Sequence, residues 1–475
     1  MSAPAVEAER TDETSGPPRL AVAPLLRRLH FYAGVLVGPF LVIAAASGML
    51  FALAPQVDDV LYGDVLVASP VGGAPRPLAE QVEAARAAVP DGTVTGVLVA
   101  DDPEATTRVV LAEPGLPEEY STTVYVNPYT ARSQGQLTTW FGSTPATTWL
   151  DNLHSNLNLG VPGTLYSELA ASWLWVLSLV GLVLWIGRRR TARRRVRALL
   201  VPESGAKGVR KTRSWHASIG VWALVGALFL SATGLTWSTY AGENFSAALT
   251  ALDAKAPVLD TALPGAAGGT SGSGEHSEHG GGQEGTAPVD AAAFDRVLGT
   301  ARGAGLDGPL ELTVPAAAGT AWTAAQTDNT WPVRLDKVAV DADGSAVTAR
   351  SDWADRPFLA KLSSLGIQAH MGVLFGAANQ AVLFLLAAAI LTVVVLGYRM
   401  WWQRRPTRAD RRAPLGTAPK RGTWQRLPLW FVVPAPLVLI LVGWAIPLLG
   451  LSLVAFLVLD GVIGFVRSRR RAGVG

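Results

Sequence analysis

The sequence contains no cysteine. Disulfides, thiolate metal sites, iron–sulfur clusters and c-type haem attachment are therefore excluded, and any haem must be held by histidine or another non-cysteine ligand. Histidine is scarce too, with six in 475 residues, so each can be weighed singly. Charge is sparse, at 16% of residues and a net +3, and the basic residues gather beside apolar runs. That placement argues against nucleic acid as a partner.

What the chain has in quantity is apolar sequence, 49% of its residues. Six stretches, near 29–54, 166–187, 217–240, 373–398, 427–446 and 448–466, read as membrane spans, each able to cross about 30 Å of hydrocarbon at about 1.5 Å per residue. Pro434, Pro436 and Pro447 interrupt the last two, which suits a tight hairpin or a partly re-entrant pair. Ala52-Leu53-Ala54 resembles a signal-peptide cleavage site. The apolar stretch before it is long for a signal peptide and Pro55 follows, so the span reading is preferred. Arg188, Arg189, Arg190, Arg193, Arg194, Arg195 and Arg197 open one short loop, Arg27 and Arg28 precede the first span, and Arg469, Arg470 and Arg471 follow the last. The positive-inside rule places all of these in the cytoplasm, with both termini; the expected location is a bacterial cytoplasmic membrane, crossed several times.

The expected organisation is a disordered tail (1–24), a first span (25–54), an extracytoplasmic domain (55–165), a second span (166–187), a basic loop (188–213) and a third span (214–240). A second extracytoplasmic domain (241–365) with a Gly/Ser/His-rich insertion (264–287), a fourth span (366–400), a second basic loop (401–426), a hairpin (427–466) and a basic tail (467–475) follow. Each outer loop reads as a helix followed by strands: PLAEQVEAARAAVP then TVTGVLVA, TTRVVLAEP and TTVYVNPYT, and AAAFDRVLGTARGAG then PLELTVP, AWTAAQT and VRLDKVAVDADGSAVTA. Neither carries a Ser–His–Asp set, a phosphate-cradling glycine loop or a metal-ligand array.

An internal repeat is visible. RLHFYAGVLVGPFLVIAAASGML answers SWHASIGVWALVGALFLSATGLT at a constant offset, pairing His30 with His216, Gly34 with Gly220, Ser47 with Thr233 and Gly48 with Gly234. At a second constant offset His154 pairs with His370, Gly160 with Gly376, Gly181 with Gly397 and Trp185 with Trp401. The fold class expected is a polytopic α-helical membrane protein: a four-helix core of two parallel repeats, a C-terminal helical hairpin and two small α+β extracytoplasmic domains.

A pseudo-twofold axis along the membrane normal would bring each histidine pair to the bundle centre, where a haem takes one imidazole from each half. Gly34 and Gly220 stand one turn after their histidines, leaving room for a flat macrocycle; close helix packing is the other reading of these glycines. Interfacial hydrogen bonding is the other reading of the histidines. His370 to Gly397 would be about 40 Å of straight helix, and Trp175 or Trp222 are candidates to lie between two haems. His276 and His279, in the Gly/Ser segment, are weak metal ligands at most, and a solvated loop is the plainer reading.

These residues resemble the PepSY-associated transmembrane family, whose members include iron-regulated membrane proteins and ferric-siderophore reductases. The resemblance covers roughly 25–402 and rests on Leu29-His30 with Gly34 and Ser47-Gly48, on Trp215-His216 with Gly220 and Thr233-Gly234, on Leu153-His154 and Ala369-His370, and on VYVNPYTARSQG. It implies PepSY-like outer domains, two b-type haems with His30, His216, His154 and His370 as iron ligands, and reduction of a ferric siderophore or other chelate outside the membrane. No dinucleotide-binding glycine motif is present, so the donor is a separate cytoplasmic partner or a quinol. The alternative is a membrane-anchored module binding a peptide, protease or envelope protein without redox activity. Transport without redox chemistry would want polar residues at mid-membrane, and the first four spans show few. No oligomeric state follows from the sequence.

Overall fold

The computed structural model describes residues 22–70, 72–189, 195–263, 289–403 and 429–472. His276 and His279 lie outside the described residues, as does most of the second basic loop. In chain order the first half contains α1 (Ala23–Phe51), α2 (Ala54–Leu66), α3 (Leu78–Ala88), β1 (Thr93–Val99), β2 (Thr107–Ala112), β3 (Tyr120–Asn127), β4 (Arg132–Trp140), α4 (Pro145–Asn156), α5 (Val161–Arg189) and α6 (Arg195–Leu200). The second contains α7 (Gly208–Thr236), α8 (Thr239–Ala251), α9 (Ala291–Gly303), β5 (Leu310–Thr313), β6 (Trp322–Gln326), β7 (Lys337–Val340), β8 (Val347–Ser351), α10 (Phe358–Met371), α11 (Gly376–Gln403), α12 (Leu429–Val432), α13 (Ala435–Ala445) and α14 (Pro447–Ala472). These form two compact units, one of Met1–Leu41, Ser172–Leu228 and Thr392–Gly475, the other of Val42–Ala171 and Phe229–Leu391.

Among the described residues four helices, α1, α5, α7 and α11, are long and apolar enough to cross a membrane, and most of their apolar surface is not covered by protein. Six spans were expected; of the C-terminal pair, α14 runs for 26 residues and α13 is too short to cross. α13 has 11 residues, about 16 Å of helix, because Pro434, Pro436 and Pro447 cut the apolar run. α13 and α14 do form a hairpin. Its helices meet backbone to backbone, since a Cβ on Gly450 would come 2.5 Å from Gly443 Cα.

Within the first unit α14 docks on α1 and α5. The buried Arg28 guanidinium pairs with Asp460, Trp173 Nε1 donates to Ser452 Oγ at 2.9 Å, and Tyr32 meets Phe456 at 5.8 Å between ring centres. α1 also contains Pro39, which has no N–H for the Val35 carbonyl one turn back. Tyr398 Oη supplies the missing donor at 2.7 Å. Gly38 makes this approach possible, for a Cβ there would lie 2.8 Å from that hydroxyl.

The second unit holds one antiparallel sheet of eight strands in the order β4-β3-β2-β1-β5-β6-β7-β8. The two outer loops were expected to fold as separate modules, but β1 pairs with β5 from Gly96↔Thr313 to Val99↔Leu310 and makes them one body. The core lies between the sheet and α3 and α9, with Val97, Val109, Leu111, Leu312, Phe294 and Trp322 fully buried. Phe294 and Trp322 meet edge to face at 4.9 Å. Carboxylates finish helices across this unit. Pro77 precedes α3 and offers no capping side chain; Asp295 of α9 accepts instead from the Leu78 and Ala79 N–H groups at 2.7 and 2.9 Å. Glu168 of α5, almost wholly buried, accepts from Tyr240 and Ala241 N–H at the start of α8, each at 3.0 Å. A carboxylate is stabilised there by two orphan donors and the positive end of the helix.

Asp295→Ala is expected to leave both α3 amides without an acceptor and to lower stability by about 1–2 kcal/mol. Hydrogen exchange should quicken at Leu78 and Ala79 before it changes in β3.

Candidate functional site: two facing histidine pairs

In the first unit His30 of α1 and His216 of α7 bring their ring centres to 6.3 Å with the planes nearly perpendicular. In the second unit His154 of α4 and His370 of α10 also stand 6.3 Å apart, tilted by 56°. All four are partly buried. α4 and α10 are short helices that stop just past their histidines. α4 ends on Leu157 in the left-handed region, and Gly160 follows with φ +62°; α10 ends on Gly372 at φ +85°, with Gly376 at φ +55°. His370 and Gly397 are therefore on separate helices, and the single straight helix expected between them does not exist.

Each imidazole edge faces a glycine on a neighbouring helix. A Cβ at Gly181 would come 3.1 Å from His30 Cε1, at Gly48 3.0 Å from His154 Cε1, at Gly397 3.6 Å from His216 Cε1, and at Gly234 3.8 Å from His370 Cε1. A larger side chain at the first two would move the ring. Phe51 stacks beside His154, nearly parallel to it, with ring centres 6.5 Å apart.

Hydrogen bonds fix three of the four tautomers. Ser47 Oγ lies 3.0 Å from His154 Nδ1. Its own hydrogen is donated to the Ile43 carbonyl at 2.8 Å, so it accepts from Nδ1–H. Thr233 Oγ1, bonded to the Phe229 carbonyl at 2.8 Å, does the same for His370 Nδ1 at 2.5 Å. His216 Nδ1 faces the Val393 carbonyl at 2.8 Å and must donate, since a carbonyl only accepts. A proton on Nδ1 leaves the Nε2 lone pair bare, the form that ligates a metal. His30 Nδ1 is buried, and among the described residues only the Leu177 backbone comes near enough to serve it, without a well-formed hydrogen bond.

The spacing suits one metal between each pair. Two nitrogens about 2 Å from an ion, each about 1.1 Å from its ring centre, put the centres about 6 Å apart. Among the described residues no group of three or more His, Asp or Glu stands at metal-binding distance. A bare ion would then have two protein ligands, whereas a macrocycle brings its own equatorial donors. Space for one is consistent with Gly34, where a Cβ would meet nothing within 4 Å, and with Gly220, where it would meet only Val393 Cγ2 at 4.0 Å. The residues present thus fit a bis-imidazole haem. Of the two aromatic candidates, Trp222 is 71% exposed and donates to the Leu200 carbonyl, while Trp175 Nε1 is buried with no hydrogen-bond partner among the described residues.

The sequence matches the family described as the PepSY-associated TM region over residues 27–404. The chain belongs to that family. The matched region begins just before His30 and ends just after α11, so it takes in all four paired histidines of this family member. No curated protein matches the sequence.

Ser47, Thr233 and the four seating glycines were visible in the sequence as repeat markers without a role. Only the fold shows Ser47-Gly48 against His154 and Thr233-Gly234 against His370. In ¹⁵N-histidine spectra of the protein, His154 and His370 are expected to carry their proton on Nδ1. Ser47→Ala should mix the His154 tautomers and leave His216 unchanged.

Proposed function

We propose that this PepSY-associated membrane protein carries electrons on two b-type haems, from a cytoplasmic donor or quinol to a ferric siderophore or other ferric chelate outside the cytoplasmic membrane. The observation that carries the reading is one local geometry found twice, two imidazoles at 6.3 Å from different helices. His30 and His216 would hold one haem, and His154 and His370 the other. When bound, haem supplies a one-electron iron couple.

The chain's own part is to hold and orient. Ser47, Thr233 and the Val393 carbonyl keep a proton on Nδ1 and so keep Nε2 available on His154, His370 and His216. Ligands from separate helices, each seated on a glycine, give little freedom for an imidazole to swing away. Removing an outer partner of a ligating histidine weakens metal affinity about 10- to 100-fold. Low-dielectric surroundings at both pairs favour a cofactor whose charge is largely balanced within its own ring.

The test is a reduced-minus-oxidised absorption spectrum with haem quantification on the purified protein. The expected result is a b-type signal near two haems per chain, with one lost in His30→Ala and the other in His154→Ala. Absence of haem after expression with ample supply overturns the reading, and so does a haem content unchanged by both substitutions.

A further inference from the structure

In the first unit two clefts meet at one aromatic side chain. The larger, about 640 Å³, is walled by Pro202, Glu203, Lys207, Lys211 and Trp215. The smaller, about 150 Å³, is walled by Lys211, Thr212, Trp215, Arg399 and Gln403, with Gly208 at its rim. Lys211 and Trp215 belong to both. α7 begins at Gly208, so the unsatisfied N–H groups and positive dipole of its first turn add to the charge of Lys207, Lys211 and Arg399. Glu203, an acid in this wall, is already paired with Arg210 at 2.5 Å. Lys207 and Lys211 have no acidic partner among the described residues. Gln403 accepts from Thr212 through its amide oxygen at 3.1 Å, which leaves its NH₂ group to donate.

Three cations, a helix N-terminus and an amide donor select a phosphate. An indole 46% exposed selects a flat ring laid against it. The larger cleft is an open groove, wide enough for a cofactor-sized molecule to lie along it. The residue after Trp215 is His216, a member of the first histidine pair. An aromatic contact one residue from a redox ligand is of most use to a molecule that exchanges electrons.

We infer that the joined clefts dock the electron donor, a soluble phosphate-bearing molecule with a flat redox-active ring, of the reduced flavin mononucleotide class. The inference rests on the haem reading above. The balance is simple: the dihydroflavin loses two electrons and two protons, the electrons reduce two ferric centres held by the histidine pairs, and the protons pass to water. The basic residues around the clefts place them on the cytoplasmic side.

The test uses the full chain, haem-loaded, in nanodiscs of phosphatidylcholine, with flavin mononucleotide reduced beforehand under anaerobic conditions. The rate of haem reduction should saturate with its concentration. Riboflavin, which lacks the phosphate, should not saturate it. Lys207→Glu with Lys211→Glu should raise the half-saturating concentration about tenfold or more, as loss of two charge-assisted contacts requires, while the dithionite-reduced spectrum stays that of a folded, loaded protein. A linear rate, equal behaviour of riboflavin, or an unaffected double variant overturns the inference. Loss of saturation in phosphatidylglycerol discs assigns the clefts to an anionic lipid headgroup and overturns it as well. If dithionite develops no haem signal, the haem reading has failed. Equilibrium quenching of flavin mononucleotide fluorescence then decides the site by itself, with binding weakened in the double variant for it and binding absent or unchanged against it.

Discussion

The rest of this site depends on close approach of imidazole rings to helix backbone, which at His30 and His154 is possible only because Gly181 and Gly48 carry no side chain. His30, His154, His216 and His370 each meet a glycine at the ring edge: Gly181, Gly48, Gly397 and Gly234. With the rings so seated, both pairs settle at the same 6.3 Å. A hydroxyl or carbonyl behind three of the rings then selects the tautomer.

The second requirement is that backbone groups removed from water find partners. Pro39 would leave the Val35 carbonyl alone without Tyr398. The first turn of α8 is satisfied by Glu168, and that of α3 by Asp295. The ends of α4 and α10 use the left-handed turn at Leu157 and Gly372, and in both cases a single carbonyl, of Asn152 or Gln368, accepts the amides that follow. These breaks let each histidine sit on its own short helix rather than continue into the span.

Hydropathy, histidine scarcity and the repeat were legible because each is local or periodic in sequence. They led to the four apolar helices and to the pairing of His30 with His216 and of His154 with His370. The strand runs of both outer loops were legible for the same reason. The joining of β1 to β5 was not, because strand pairing between distant segments leaves no mark in either segment. At the C-terminus the prolines shorten α13, and a buried Arg28–Asp460 pair fixes α14 against α1; neither could be read from the apolar run alone. Ser47 and Thr233 were seen to recur, but their direction toward histidines of another helix is a property of packing alone.

The central claim is that each histidine pair closes on one iron from two sides. Electron paramagnetic resonance of the oxidised, purified protein tests it most directly, because two axial imidazoles force ferric haem into the low-spin state. The account predicts two low-spin ferric signals, one of them removed by His370→Ala and the other by His216→Ala. A high-spin signal from the unsubstituted protein, or low-spin signals that survive both substitutions, would contradict it.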